Sequence, residues 1–173
     1  MVVYLLSIMV LPDLLVSDLK VVFCGTAAGN KSAERKAYYA GRGNLFYPTL
    51  ASCGFTSKLL KPEQYPELLH DKIGLTDLAK FTFGMDTDLK SEDYDTKTFE
   101  EKILKHQPQF VCFNGKEAAK VYFNQKSTKQ IIYGLQEKSL GKTKLYVAPS
   151  TSLQAIAYWD ETIWQNLYNL IRL

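Results

Sequence analysis

The hydrophobic residues of this chain fall into short, largely continuous runs separated by polar and glycine-containing segments. Three of these runs, 19–24, 110–113 and 144–147, have the pattern of strands that are buried on both faces of a parallel sheet. Each run is followed by a turn of small or polar residues. The pattern therefore predicts three strands whose carboxyl-terminal loops converge at one edge of a sheet, where active sites collect in such folds.

Between these runs, apolar residues recur at the spacing of helices, and polar or glycine residues mark the ends. Asn44 is in position to cap the first long helix, and Gly54 follows its end. We predict helices at 45–53, 62–70, 99–105, 116–123 and 155–171, a loop with a short helix at 30–43, a loop at 74–78 and a short strand at 130–133. Strands that alternate with helices predict an α/β fold, a three-layer αβα domain with a central, mainly parallel sheet.

The opening apolar stretch, 2–16, resembles a targeting segment only superficially. It has no basic start, it contains Pro12 and Asp13, and it is too short to cross a bilayer. We expect a buried helix here, with residues 1–10 as a possible start-site extension. No other stretch approaches the length of a membrane span, so no membrane partner is expected.

Composition is consistent with one folded domain that covers residues 1–173. Hydrophobic residues make up 46% and charged residues 23%, as in globular proteins. The three cysteines and two histidines lack the spacing of a zinc site, so we expect no metal. Free thiols in apolar runs favour a reducing compartment. We therefore expect a cytoplasmic location, associated with the nucleoid if the protein is bacterial. The net charge of +3 is compatible with a polyanionic partner without requiring one.

The loop that follows the first predicted strand reads Gly25-Thr26-Ala27-Ala28-Gly29. It matches neither the dinucleotide-binding fingerprint nor the P-loop, because no GxGxxG or GK[ST] pattern follows. By itself, a turn of small residues after a buried strand is explained by packing more often than by ligand binding.

Several blocks in order along the chain, together with this loop, are similar to the mismatch-specific uracil and thymine-DNA glycosylase family. The similarity extends from about Leu11 to Ile171. The blocks are Ser32-Ala33, Tyr38-Tyr39-Ala40-Gly41-Arg42-Gly43-Asn44-Leu45-Phe46-Tyr47, Gly74-Leu75-Thr76-Asp77, Phe113-Asn114-Gly115-Lys116, Tyr133-Gly134-Leu135-Gln136 and Pro149-Ser150-Thr151-Ser152.

The resemblance implies a monofunctional DNA glycosylase of base excision repair that acts as a monomer on DNA containing uracil, with G:U mismatches as the expected context, or a mispaired base. Such an enzyme flips the damaged nucleotide out of the duplex and hydrolyses its N-glycosidic bond with water. No cofactor is implied. The site must position water and stabilise negative charge on the departing base.

The family pattern of the first loop is Gly-X-Asn-Pro-Gly, in which Asn orients the attacking water, whereas this chain has Ala27 and Ala28 at those positions. Alanine cannot hold a water molecule. The resemblance points to Asp77 and Asn44 as the replacement catalytic groups, because both lie in blocks that line the family's base pocket. For Asp77 the alternative is a surface or capping carboxylate, and for Asn44 it is a helix cap.

The resemblance also assigns the base pocket and the DNA-contacting surface. Tyr39 corresponds to the aromatic residue that stacks on the flipped base, and Ser32 to a small residue at the pyrimidine edge. The base-pocket set is Gly25, Thr26, Ala27, Ser32 and Tyr39. The DNA-binding set comprises phosphate contacts and a minor-groove loop, namely Lys31, Arg42, Asn114, Gly115, Lys116, Ser150, Thr151, Ser152, Leu153 and Gln154. For these residues, packing, ordinary surface charge or the first turn of a helix remain alternatives.

Three classes of function stay open at this point. The first is the glycosylase, and the second is a module of the same fold that binds damaged DNA but is catalytically weak or inactive because Ala27 replaces Asn. The third is an unrelated α/β hydrolase, which is disfavoured because the sequence contains no nucleophile-elbow motif.

Overall fold

The centre of the molecule is a five-stranded sheet, in a computed structural model that describes residues 8–172. Its strands lie in the order β2-β1-β3-β5-β4 and are β1 (Val21–Gly25), β2 (Ile73–Asp77), β3 (Phe110–Asn114), β4 (Gly134–Leu140) and β5 (Thr143–Ala148). β1 pairs in parallel with β2 and β3, β3 pairs in parallel with β5, and β4 runs antiparallel to β5. The predicted mainly parallel sheet is confirmed.

Helices cover both faces of the sheet and give three layers. The α-helices are α1 (Asn30–Arg35), α2 (Phe46–Ser52), α3 (Thr96–His106), α4 (Lys116–Tyr122) and α5 (Glu161–Arg172). Alternate residues of β1 enter two separate cores. Phe23 packs with residues of α2 and α5, including Phe46 and Trp164, whereas Cys24 packs with residues of α3 and α4, including Phe99. Burial on both faces explains why β1 reads as a continuous apolar run.

The predicted loop at 74–78 is wrong, because Ile73–Asp77 forms β2 and all five residues are buried. Gly74 suggested a turn, but its lack of a side chain serves close packing. A Cβ atom at Gly74 would lie 2.6 Å from the backbone oxygen of Leu14. Leu14 pairs with Leu75 through an isolated antiparallel bridge, which covers the outer edge of β2.

Two predictions in the last third of the chain are also corrected. The segment predicted as a strand at 130–133 is not a strand: its first residue ends a 3₁₀ helix, Thr128–Gln130, and the strand is β4, at Gly134–Leu140. β4 is a mostly exposed edge strand without apolar alternation, so periodicity could not reveal it. The predicted helix at 155–171 is divided into a 3₁₀ helix, Leu153–Tyr158, and α5, because Trp159 is extended and Asp160 accepts a hydrogen bond from the amide of Thr162 at 2.9 Å.

The opening segment differs from its prediction as well. Residues 1–7 lie outside the described part of the chain, and residues 8–16 contain no helix. This segment is irregular apart from the bridge residue Leu14, and its amide at Val10 donates to the carbonyl of Lys80 at 2.8 Å. The predicted helix at 62–70 is a 3₁₀ helix, Pro62–Asp71, in which Pro66 lacks the amide that an α-helix would use.

Among residues 8–172, no helix is both long and apolar enough to cross a membrane.

Candidate active site

The carboxyl-terminal ends of the parallel strands meet at one edge of the sheet and form the floor of a cleft of about 1000 Å³. β2 ends at Asp77, β1 at Gly25 and β3 at Asn114, and the strand register places Gly25 beside Asp77. Loops that follow these strands, together with the loop after β5, build the walls. The convergence predicted from the apolar runs is confirmed.

Every residue assigned to the site from the sequence lines this one cleft. These residues are Gly25, Thr26, Ala27, Lys31, Ser32, Tyr39, Arg42, Asn44, Asp77, Asn114, Gly115, Lys116, Ser150, Thr151, Ser152, Leu153 and Gln154. Their common location makes the site geometrically coherent, and their individual roles remain predictions.

Asp77 is a carboxylate on the floor of the cleft, with only 5% of its surface exposed. Burial raises the pKa of Asp77 to about 6, with a further rise from Asp13, while Lys80 and the backbone of Gly25 lower it. A Cβ atom at Gly25 would lie 2.7 Å from Oδ1 of Asp77. The glycine at the end of β1 therefore leaves the space that the neighbouring carboxyl group occupies.

A buried ionic cluster lies beside Asp77, and sequence analysis did not find it. The ammonium group of Lys80, which is 6% exposed, forms an ion pair with Asp13 at 2.9 Å and donates to the hydroxyl of Tyr38 at 2.8 Å. Asp13 also pairs with Lys102 of α3 at 2.6 Å and accepts a hydrogen bond from Thr76 at 2.7 Å. Burial tends to raise the pKa of Asp13, but the two lysines and Thr76 outweigh it, so the pKa is lowered.

The first loop places Thr26 and Ala27 at the cleft and buries Ala28. The hydroxyl of Thr26 donates to Asp86 at 2.5 Å, which brings a second carboxyl group into the cleft. Asp86 is exposed as a residue, yet the surroundings of its carboxyl group raise its pKa, chiefly through partial burial. Sequence analysis did not identify Asp86, because no local signal distinguishes it from the neighbouring acidic residues.

Tyr39 is half-buried, and its ring stacks on that of Phe46 with centroids 4.0 Å apart. Its hydroxyl oxygen is buried at the floor, 3.6 Å from the position of a Cβ atom at Gly25, and it has no hydrogen-bond partner among the described residues. Burial, followed by the charge of Asp77, raises the pKa of Tyr39, so its hydroxyl stays protonated. The ring therefore lies at the cleft with an unpaired donor beside the carboxyl group.

Ser32, at the wall of the cleft, is 5% exposed and accepts a hydrogen bond from the amide of Ala40 at 3.0 Å. This bond uses a lone pair of the oxygen and leaves the hydroxyl proton available for another acceptor.

The two asparagines of the site both hold protein structure. The side-chain oxygen of Asn44 accepts a hydrogen bond from the amide of Phe46 at 2.9 Å, at the start of α2. The cap position of α2 is Leu45, so Asn44 lies one residue before it, but its side chain still satisfies the first free amide of the helix and has a structural role close to the capping alternative. The side chain of Asn114 accepts from the amide of Thr151 and donates to its hydroxyl, each at 3.0 Å. Asn114 thereby ties the end of β3 to the loop after β5.

Basic and apolar groups surround the mouth of the cleft. Lys31 pairs with Glu34 at 2.7 Å, Arg42 is exposed, and the ammonium of Lys116 lies 4.4 Å from the ring centroid of Tyr133. Leu153 is 49% exposed and packs so closely on Gly43 that a Cβ atom there would lie 2.6 Å from it.

The loop after β5 has its own short-range contacts. Ser152 donates a hydrogen bond to the neighbouring Gln154, and the amide of Ser152 donates to the hydroxyl of Ser150 at 3.3 Å. Gly115 has φ of 109°, and a Cβ atom there would meet Ser150 at 3.0 Å. The loop therefore approaches the start of α4 closely because residue 115 has no side chain.

No group of three or more His, Cys, Asp and Glu side chains within residues 8–172 is arranged to hold a metal ion. Cys24, Cys53 and Cys112 are buried free thiols. The polar side chains that line the cleft carry carboxyl, hydroxyl, amide, ammonium and guanidinium groups.

Comparison with known proteins gives a family match and similar solved structures. The model of the Uracil DNA glycosylase superfamily matches residues 12–168. A solution NMR structure of a candidate uracil DNA glycosylase from Methanosarcina acetivorans is similar in fold, with a TM-score of 0.65 and 19% sequence identity, over 94% of this chain and 97% of that one. At this identity the structural likeness supports the three-layer fold alone.

Proposed function

Since the chain belongs to the Uracil DNA glycosylase superfamily, we propose that it is a monofunctional DNA glycosylase that hydrolyses the N-glycosidic bond of uracil in DNA. The observation that carries the proposal is the buried carboxyl group of Asp77 on the floor of the cleft, beside the loop in which Ala27 replaces a water-binding Asn. The sequence resemblance to the mismatch-specific branch supports uracil opposite guanine as the substrate context.

In the proposed mechanism the uracil nucleotide rotates out of the duplex into the cleft, where Tyr39 offers a ring face to the base. Asp77 accepts a proton from a water molecule as that water attacks C1′ of the sugar. The bond between C1′ and N1 breaks, and the base leaves with the electron pair. Ser32, whose hydroxyl proton is not used in the bond from Ala40, then donates a hydrogen bond to the departing base in this proposal.

The pKa of Asp77 suits this role. A general base must be ionised at the working pH and still hold a proton well enough to accept it from water. A carboxyl group with a pKa of about 6 meets both conditions near neutral pH, whereas one at the ordinary value of 3.8 would be a weaker base.

The test is release of uracil from oligonucleotides that contain one uracil, in a G:U pair, in an A:U pair and in a single strand. Asp77→Asn should lower the single-turnover rate about 10²- to 10⁴-fold, the usual contribution of a general base. Asp18→Asn is the matched control, because Asp18 is exposed before β1, far from the carboxyl ends of the strands, and its φ of 63° suits asparagine. A rate that persists in Asp77→Asn would overturn the role of Asp77.

Asn44→Ala separates the two readings of that residue in the same assay. If Asn44 holds the attacking water, its removal should lower the rate by a factor comparable to that of Asp77→Asn. If its side chain only caps α2, the free energy of unfolding should fall by about 1 kcal/mol while the rate is retained. The hydrogen bond to Phe46 favours the second result.

A second candidate function is a damaged-DNA-binding module of the same fold, and the presence of Ala27 in the first loop favours it. Such a module would bind uracil-containing DNA without releasing free base. Wild-type protein that binds G:U duplex in a gel-shift assay, but releases no uracil after prolonged incubation, would establish this candidate in place of the enzyme.

A further inference from the structure

The cluster behind Asp77 contains two ammonium groups, Lys80 and Lys102, and one carboxylate of its own, Asp13. Lys80 is almost fully buried, and a buried cation is stable only when anions compensate it. Asp13 must serve both lysines. The cluster therefore carries a net positive charge beside Asp77, which water screens in part because the side chain of Lys102 is 27% exposed.

The sequence order explains how Lys80 comes to lie near Asp77. β2 ends at Asp77, and the chain then turns beside the first loop, where the amide of Leu78 bonds to Gly25 and that of Ala79 to Thr26. This turn directs the side chain of Lys80 back into the protein, onto Asp13 and the hydroxyl of Tyr38. Tyr38 in turn precedes Tyr39, whose hydroxyl lies at the floor near Asp77.

We propose that Lys80 is a positioning residue that acts through Asp77, holding a positive charge behind the carboxyl group so that it is anionic at the pH of the reaction. The catalytic consequence of this inference rests on the proposed function. The effect of Lys80 on the ionisation of Asp77 does not depend on it. Lys80 is not a nucleophile in this arrangement, because its ammonium group is engaged by Asp13 and Tyr38.

The remaining groups that face Asp77 do not replace this charge. Cys24 on β1 and the hydroxyls of Tyr38 and Tyr39 are buried, and burial raises the pKa of each, so they are neutral. Asp13, in the opening segment, is an anion and opposes ionisation of Asp77. Lys102 on α3 contacts Asp13 and is not among the groups that shift the pKa of Asp77.

The experiment measures kcat/KM for uracil release against pH in Lys80→Met, Lys80→Arg and Lys102→Met, and the titration of the Asp77 carboxyl carbon by NMR in the same proteins. Loss of the cation in Lys80→Met should move both the acid limb of the rate profile and the NMR titration upward by about one pH unit. From a pKa of about 6, this shift corresponds to about a fivefold loss of kcat/KM at pH 6, which approaches tenfold at lower pH, and to almost no loss at pH 8.5. Lys80→Arg should restore both curves.

Lys102→Met is the matched control. It removes an ammonium group from Asp13, as Lys80→Met does, but it should leave the Asp77 titration in place. Folding is expected in both variants because Asp13 keeps one lysine and Thr76 in each case.

The two readouts separate the inference from the proposed function. An Asp77 titration that is unchanged in Lys80→Met, or shifted equally in Lys102→Met, would overturn the inference. A titration that moves while the rate profile stays fixed would support the electrostatic role of Lys80 and would overturn the assignment of Asp77 as the base.

Discussion

At the scale of single residues, the floor of the cleft combines a carboxyl group that is costly to ionise with a hydroxyl that has no partner. Tyr39 places a buried oxygen beside Asp77 without a hydrogen bond from the described residues. An unpaired buried polar group costs about 1–3 kcal/mol, so a ligand that accepts a hydrogen bond from this hydroxyl would recover that free energy. Stability and binding should therefore respond to Tyr39 in opposite directions.

Tyr39→Phe should leave the free energy of unfolding unchanged or raise it by about 1 kcal/mol, because it removes the unpaired oxygen and keeps the ring. The rate of uracil release should fall. Urea unfolding followed by fluorescence measures the first quantity. The control is Tyr47→Phe, whose hydroxyl donates to the carbonyl of Tyr38 at 2.8 Å, so that its removal should lower stability by about 1 kcal/mol. A similar loss in both variants would contradict the assignment.

Some residues could be placed at the cleft from the sequence because they follow buried strands, which are recognised by their continuous apolar runs. Gly25 and Asn114 are such cases, whereas Asp77 was assigned through the resemblance, because its strand β2 was predicted as a loop. The cluster behind Asp77 could not be predicted, because Thr76 and Asp13 are 63 positions apart and meet only when the opening segment lies against β2. Local patterns carry no information on that contact. For the same reason Asp86 could not be separated from its acidic neighbours until Thr26 was seen to bind it.

At the scale of elements, the loop after β5 depends on β3 for its position. Thr151 is 1% exposed, its amide and hydroxyl bond to Asn114, and its carbonyl accepts from the amide of Leu45 before α2. One residue thus joins three elements at the cleft wall. The loop carries Leu153 and Gln154, the groups proposed to press into the DNA groove.

Asn114→Ala should lower the free energy of unfolding by about 1–3 kcal/mol, because the buried amide of Thr151 loses its acceptor. It should also weaken binding to G:U duplex, measured by fluorescence anisotropy. Thr151→Val removes only the hydroxyl bond and keeps the backbone bond, so both losses should be smaller. Equal losses in the two variants would show that the backbone bond does not position the loop.

Elements whose apolar residues recur at a clear spacing, or that begin at a clear cap, could be predicted from the sequence. Elements whose form depends on tertiary packing could not. β1, β3, β5 and α3 lie close to their predicted positions. β2 was missed because Gly74 indicated a turn, whereas its missing side chain admits the backbone of Leu14. The division before α5 was missed because the helical period continues through Trp159, although Asp160 offers a cap.

At the scale of the whole molecule, the cleft makes stability depend on pH. The pKa of Asp77 is about 6 in the folded protein against a model value of 3.8, so the folded state holds this proton more tightly than the unfolded chain does. Ionisation of Asp77 therefore lowers stability as pH rises from about 4 to 6. Asp13 acts in the opposite sense, because its lowered pKa stabilises the fold above about pH 4 and this contribution is lost in acid.

Asp77→Asn should thus be more stable than the wild type at pH 8 by about 2–3 kcal/mol, and much closer to it at pH 4, where both side chains are neutral. Urea unfolding at the two pH values measures the difference. Asp18→Asn, with an exposed carboxyl group, should show no such pH dependence. A gain for Asp77→Asn that is the same at both pH values would indicate a packing effect instead of the cost of a buried charge.

The two outer strands of the sheet, β2 and β4, are protected against further strand pairing in different ways. The free side of β2 is occupied by Leu14, and β4 carries the exposed charges of Glu137 and Lys138 with a register irregularity between Leu135 and Ser139. Charges and bulges on an outer strand discourage the addition of a strand from another molecule. Within residues 8–172, the sheet therefore presents no long flat apolar margin on which copies could stack into fibrils, and we expect the protein to stay free of fibrils at high concentration.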